Sequence, residues 1–156
     1  QMCIRDRLIT GSAGGIGFKT ALDFGNEGAI VAVTDIDFEM AKKLSNQIIS
    51  NGGIAEPLQL DVTNSEQTKN VFEVLNQKYG VCDIVFCNAG IREITPMLDL
   101  EFEDWKRVID VNVNGVFLSA QTFAKNCVKH NKKGNGKLII SYKSLAVLQG
   151  IVEKIK

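Results

Sequence analysis

Short β-branched apolar runs alternate with longer stretches of helical periodicity along this chain. The runs LIT (8–10), AIVAVTD (29–35), AEPLQLD (55–61), DIVFCNA (83–89) and KLIIS (137–141) read as five strands. Their near-continuous hydrophobicity suits parallel strands covered on both faces. Helical segments fall between them, at 15–27, 37–51, from about 63–66 to 79, and from about 103 to 129. Asn51-Gly52-Gly53 is a stop signal for the second helix. Thr63-Asn64-Ser65-Glu66 reads as a capping box opening the third, which ends near Tyr79-Gly80. Glu101, Glu103 and Asp104 sit at the positive end of the fourth. Strand–helix alternation with right-handed crossovers predicts an α/β doubly wound parallel sheet, truncated after the fifth strand. A single domain over 1–156 accounts for the pattern, without internal repeats or linkers. Residues 1–7 place Arg5, Asp6 and Arg7 where a buried strand would begin, so this lead-in is expected to be foreign to the domain.

Composition narrows the class without naming a chemistry. The 156 residues allow one real core and are short for an enzyme with a separate substrate domain. Apolar residues make up 45% and charged residues 23%, the balance of a soluble globular protein. Eighteen basic residues offset eighteen acidic ones, so net charge implies no nucleic-acid partner. No apolar run is long enough for a membrane span, and no charged-then-apolar leader opens the chain. The expected location is cytoplasmic, with no membrane partner. Cys3, Cys82, Cys87 and Cys127 lack the spacing of a metal site, and reduced core thiols are the expectation. A redox or metal protein built on Cys82 and Cys87 is therefore disfavoured. His130 reads as a cation near a helix C-terminus.

The first strand runs directly into Thr10-Gly11-Ser12-Ala13-Gly14-Gly15-Ile16-Gly17 and then into a helix. Glycines at such a junction let the backbone turn tightly and approach a pyrophosphate at the helix N-terminus. An acid, Asp35, closes the next strand. Its carboxylate can accept both hydroxyls of an adenosine ribose and would repel a 2′-phosphate. No lysine or arginine lies in the turn, and Ile36 follows the acid, so the reading is NAD over NADP. Asp37 is a rival to Asp35, and a solvated turn residue is the bland alternative for either.

With these motifs in register, the chain resembles the short-chain dehydrogenase/reductase family. The turn matches Thr-Gly-x-x-x-Gly-Ile-Gly with glycines at 11, 15 and 17. Asp61-Val62 ends the third strand, where the resemblance implies contact with adenine. Asn88-Ala89-Gly90 ends the fourth, where the family segment supports the sheet and lines the cofactor channel. Asn112 matches the asparagine that bends the long helix and holds a water in the proton relay. From the residues alone, Asn88 could be a structural amide. Asn112 in mid-helix is locally unfavourable and suggests a backbone irregularity. The resemblance implies a Rossmann fold binding NAD(P). The implied cofactor set is Gly11, Ser12, Ala13, Gly15, Ile16, Gly17, Asp35, Ile36, Asp61, Val62, Asn88, Ala89 and Gly90.

The family's chemistry pairs a tyrosine general acid/base with a lysine four residues on, beside a serine that polarises the substrate oxygen. Here Tyr79 is followed at that spacing by Asp83, and Tyr142 by Ala146. Adjacent Tyr142 and Lys143 would point to opposite faces of a strand and cannot act as the pair. Ser144 fits the serine position and Ser141 is the lesser candidate; a serine capping the turn after the strand is the bland alternative. The catalytic set is thus Ser144 and Asn112. By the family spacing the tyrosine falls at or past Lys156, so the 156 residues are expected to bind NAD without useful turnover. The implied parent is an alcohol dehydrogenase or carbonyl reductase acting on a small alcohol or ketone, a homo-oligomer (dimer or tetramer) built through the long helix. The alternative is a non-catalytic nucleotide-binding or regulatory module.

Overall fold

The computed structural model describes residues 6–130 and the backbone of 137–140. Five parallel strands, β1 (Arg7–Thr10), β2 (Ile30–Asp35), β3 (Ile54–Gln59), β4 (Ile84–Cys87) and β5 (Lys137–Ile140), form one sheet in the order β3-β2-β1-β4-β5. The helices are α1 (Gly15–Asn26), α2 (Phe38–Ser50), α3 (Ser65–Tyr79), α4 (Phe102–Ile109) and α5 (Gly115–Lys129). From β1 the chain steps outward to β3, then crosses back to place β4 on β1's other side. That reversal opens a crevice at the C-terminal ends of β1 and β4.

The strands read as continuous apolar runs because alternate residues feed two separate cores. Ile9, Val31, Val33 and Phe86 pack with Ala21, Ala41, Leu44 and Ile48 on the α1/α2 side. Leu8, Ala32, Val85 and Cys87 pack with Val71, Phe72, Leu75, Val116 and Phe123 on the α3/α5 side. Each large aliphatic side chain removed from water in this way contributes roughly 1.5–3 kcal/mol. Pro57 lies within β3, which tolerates a missing N–H because β3 is an edge strand paired only with β2 among the described strands.

Several boundaries differ from the pattern-based expectation. β1 begins at Arg7, which pairs with Val31 and Ile84 and lays its guanidinium 4.5 Å from the Phe24 ring centroid. β3 spans Ile54–Gln59 and not 55–61, because its ladder with β2 ends where Asp35 lies opposite Gln59; beyond it Asp61 N–H donates to Gln67 Oε1 at 2.8 Å. The cap of α3 is Asn64, not Thr63: Asn64 Oδ1 accepts from Glu66 N and Gln67 N at 3.0 and 3.1 Å. Thr63 instead donates its hydroxyl to Asp61 Oδ1. The single long fourth helix is in fact α4 and α5, joined by a π-helical segment over Asp110–Asn114. The stop after α2 is as expected, with Gly52 at φ +87° and Gly53 N–H returning to Ile48 O.

Candidate functional site

Beyond Thr10 the chain turns through Gly11 at φ +59°, where only glycine is relaxed. A Cβ there would stand 2.7 Å from Ala89 Cα, and one on Gly17 would stand 2.5 Å from both Gly11 O and Asn88 Nδ2. The turn is thus pressed against the segment leaving β4. Asn88 stitches the two together, donating Nδ2–H to Thr10 O at 3.1 Å and Gly11 O at 2.8 Å. The Thr10 hydroxyl oxygen accepts from Asn88 N–H and Ala89 N–H, both at 3.0 Å. α1 then starts from Gly14 with no side-chain cap and no acid in its first turn. Its positive end is left free to meet an anion.

The opposite wall comes from the ends of β2 and β3. Asp35 accepts Ala13 N–H on Oδ2 at 2.9 Å and Asp37 N–H on Oδ1 at 3.1 Å. Asp37 caps α2, accepting Met40 N–H at 3.0 Å. Asp61 Oδ1 accepts Thr63 N–H and hydroxyl at 2.9 and 2.7 Å. Val62 lies under Gly115, whose absent Cβ would come within 2.6 Å of it. Past β4, Asn112 in the π-helical segment clamps Ile91. Its Oδ1 accepts Ile91 N–H and its Nδ2 donates to Ile91 O, each at 2.8 Å. These walls enclose a cleft of about 620 Å³.

Gly11, Ala13, Gly15, Ile16, Asp35, Ile36, Asp61, Val62, Asn88, Ala89 and Gly90 line that cleft, so most of the residues read as cofactor-binding converge on one space. Ser12 and Gly17 do not line it. Ser12 is fully buried and donates both its N–H and its hydroxyl to Thr34 O, so it fastens the turn to β2. Gly17 supports the turn from beneath. Asn112 acts behind the wall through Ile91, while its neighbour Val111 lines the cleft. Sequence reasoning missed Gly14, Met40, Leu60, Ile91 and Val111, and held Asp37 only as a rival. Each adjoins a motif residue, except Met40, which the first turn of α2 brings in.

Tyr79 sits away from the cleft, its hydroxyl donating to Glu56 Oε2 at 3.0 Å. Burial and that bond hold its pKa above the ordinary phenol value. Cys82 and Cys87 are buried, and burial pushes the Cys87 thiol up to about 12, far from a reactive thiolate. Among the described residues there is no His/Cys/Asp/Glu group able to hold a metal, and no helix long and apolar enough to cross a membrane. His130 caps the C-terminus of α5. Ser141, Tyr142, Lys143 and Ser144 lie outside the described residues, as does Cys3.

A family model, that of the short chain dehydrogenases, matches residues 7–155. The chain belongs to the short chain dehydrogenase family. It is 38% identical over 138 residues to the probable oxidoreductase EphD of Mycobacterium tuberculosis, covering 88% of this chain and 23% of that protein. It superposes on a short-chain type dehydrogenase/reductase from Mycobacterium marinum with a TM-score of 0.82 at 38% identity, over 87% of this chain and 54% of that one. A gluconate 5-dehydrogenase from Burkholderia cenocepacia, solved with NADP and tartrate, gives a TM-score of 0.78 at 32% identity, over 87% of this chain and 52% of that one. The chain spans about half the length, or less, of these dehydrogenases and reductases.

Proposed function

We propose that this chain forms the dinucleotide-binding part of an oxidoreductase that moves a hydride between NAD(H) and an alcohol or carbonyl carbon. The observation that carries the proposal is the cleft of about 620 Å³ lined by the glycine-rich turn and by Asp35 at the end of β2. The residues fit such a cofactor. Gly11, Gly14 and Gly15 would let a pyrophosphate approach the uncapped start of α1, and Asp35 would meet the adenosine ribose. Exposed Ile36 and Met40 with Asp61 and Val62 would flank adenine, while Asn88 through Ile91 would bound the nicotinamide end. When bound, the nicotinamide supplies a hydride donor or acceptor. The chain's own part is to hold and orient it, with Ser144 polarising the substrate oxygen and Asn112 fixing the wall through Ile91.

NAD is preferred over NADP in this reading. The described residues lining the cleft include Asp35 and Asp37 and no lysine or arginine to meet a 2′-phosphate. The NADP bound by the Burkholderia gluconate 5-dehydrogenase is a property of that protein. Self-association into a dimer or tetramer would use α4 and α5, where Phe102, Trp105 and Phe117 are exposed.

No tyrosine in the 156 residues has a lysine four positions on, so binding without turnover is the expected behaviour. This is also what a nucleotide-binding module would show, and a search of the parent coding sequence for Tyr-x-x-x-Lys separates the two. Titration with NADH and NADPH, followed by nicotinamide fluorescence, tests the reading. NADH is expected to bind at least about tenfold more tightly than NADPH, the ~1.4 kcal/mol effect of placing a phosphate beside a carboxylate. Equal or tighter binding of NADPH contradicts the preference. Substantial alcohol oxidation by the 156-residue chain contradicts the incomplete donor set.

A further inference from the structure

We propose that Asp35 is also a positioning residue for the glycine-rich turn, fastening it in its binding shape before any nucleotide arrives. The inference rests on the nucleotide reading above and adds to Asp35 a role that does not involve the ribose. Its basis is the pair of bonds on the carboxylate. Oδ2 accepts Ala13 N–H of the turn at 2.9 Å, while Oδ1 accepts Asp37 N–H at 3.1 Å.

The turn needs such an anchor. Gly11, Gly14 and Gly15 lie within five positions, and Gly11 and Gly15 are held at φ +59° and +52°. Glycine-rich backbone loses much conformational freedom when it is fixed in one shape. Asn88 and Ser12 secure the first part of the turn, through Gly11 O and Thr34 O. The Gly14 carbonyl is engaged by Phe18 N–H inside α1. Ala13 lies between these two regions, and Asp35 holds it. The bond is charge-assisted, hence stronger than a neutral one. Each carboxylate oxygen has a second lone pair, so holding Ala13 and Asp37 leaves acceptor capacity for ribose hydroxyls.

The two roles predict opposite signs for one ligand, 2′,3′-dideoxyadenosine 5′-diphosphate, which carries the diphosphate and lacks the ribose hydroxyls. If Asp35 serves the ribose alone, its charge only repels this ligand, and removing it leaves affinity unchanged or improved. If Asp35 also orders the turn, removing it weakens binding. The experiment compares calorimetric titrations of ADP and the dideoxy analogue into the wild-type chain, Asp35→Ala and Asp35→Asn. It adds amide exchange of Ala13 in the nucleotide-free proteins, read by NMR.

The proposal expects Asp35→Ala to bind the dideoxy analogue about fivefold more weakly, the loss of one net hydrogen bond. It expects Ala13 to exchange at least about tenfold faster while Val31 and Val33 in β2 are unchanged, which separates local release from general destabilisation. Asp35→Asn, which keeps one acceptor oxygen, should be intermediate and serves if the alanine variant does not fold. Undiminished affinity for the dideoxy analogue, or unchanged exchange at Ala13, overturns the proposal. If the wild-type chain binds neither nucleotide, the reading of the cleft fails, and Ala13 exchange alone decides the positioning role.

Discussion

A methyl group added to Gly17 would lie 2.5 Å from the Gly11 carbonyl oxygen and from Asn88 Nδ2, the two groups whose own bond closes the turn. Relief requires the turn or the β4 exit to move, because one obstacle is backbone. Gly17→Ala is therefore expected to destabilise the fold by about 1–3 kcal/mol, read as a lower urea midpoint at unchanged slope. Gly14→Ala is the control: its added Cβ meets nothing within 4 Å and its φ is −149°, so its midpoint should stay near wild type. The sequence shows four glycines in the turn but not which one tolerates a side chain. That distinction comes from Ala89 and Asn88, more than 70 positions away. Ser12 illustrates the same limit. Its place in the motif suggested the ligand, and its two bonds to Thr34 O show an anchor.

At the scale of elements, side chains at two places tie the segment leaving β4 to the helical layer among the described residues. Asn112 makes one tie, with two 2.8 Å bonds to Ile91. The π-helical segment makes that clamp possible by widening the helix where Asn112 sits. Asn112→Ala should cost about 2 kcal/mol for two hydrogen bonds and accelerate exchange of the Ile91 amide. Glu93 makes the other through Arg107 of α4, whose guanidinium donates to Glu93 Oε2 at 3.3 Å, while Glu93 Oε1 accepts from Ile94 N–H, Thr95 N–H and the Thr95 hydroxyl within the segment. The bonds from Thr95, and then that from Ile94 and the charge of Arg107, hold its carboxyl below the ordinary glutamate value of 4.5. A depressed carboxyl stabilises above the unfolded-state value, and its contribution is lost as pH falls through the folded value. Ile94 and Thr95 amides should thus be protected at neutral pH and released progressively below about pH 4.5, and Glu93→Ala should release them at neutral pH. Protection unchanged in either case contradicts these bonds to Glu93. The mid-helix asparagine hinted at an irregularity, whereas the Glu93 turn left no mark in the hydrophobic pattern, because its bonds are made by exposed polar groups. Thr63 and Asn64 are both good caps, so the sequence pattern places the α3 cap one residue early. Asp61, by engaging the Thr63 hydroxyl, leaves the helix to Asn64.

For the whole molecule, strand order decides where function can lie. Periodicity was enough to read five parallel strands and their helices, since successive residues of β1, β2 and β4 alternate between the two helix layers. It could not show that Leu60, Met40, Ile91 and Val111 join the motif residues around one cleft, because that depends on the reversal between β1 and β4. On the proposed reading, this cleft receives a nicotinamide adenine dinucleotide. The most direct test of that reading is a ¹H–¹⁵N NMR titration of the 156-residue chain with NADH. The largest shifts are expected on Gly11 to Ile16, on Asp35 to Asp37, on Asp61 and Val62, and on Asn88 to Ile91. Shifts concentrated elsewhere, or none at saturating NADH, would contradict it.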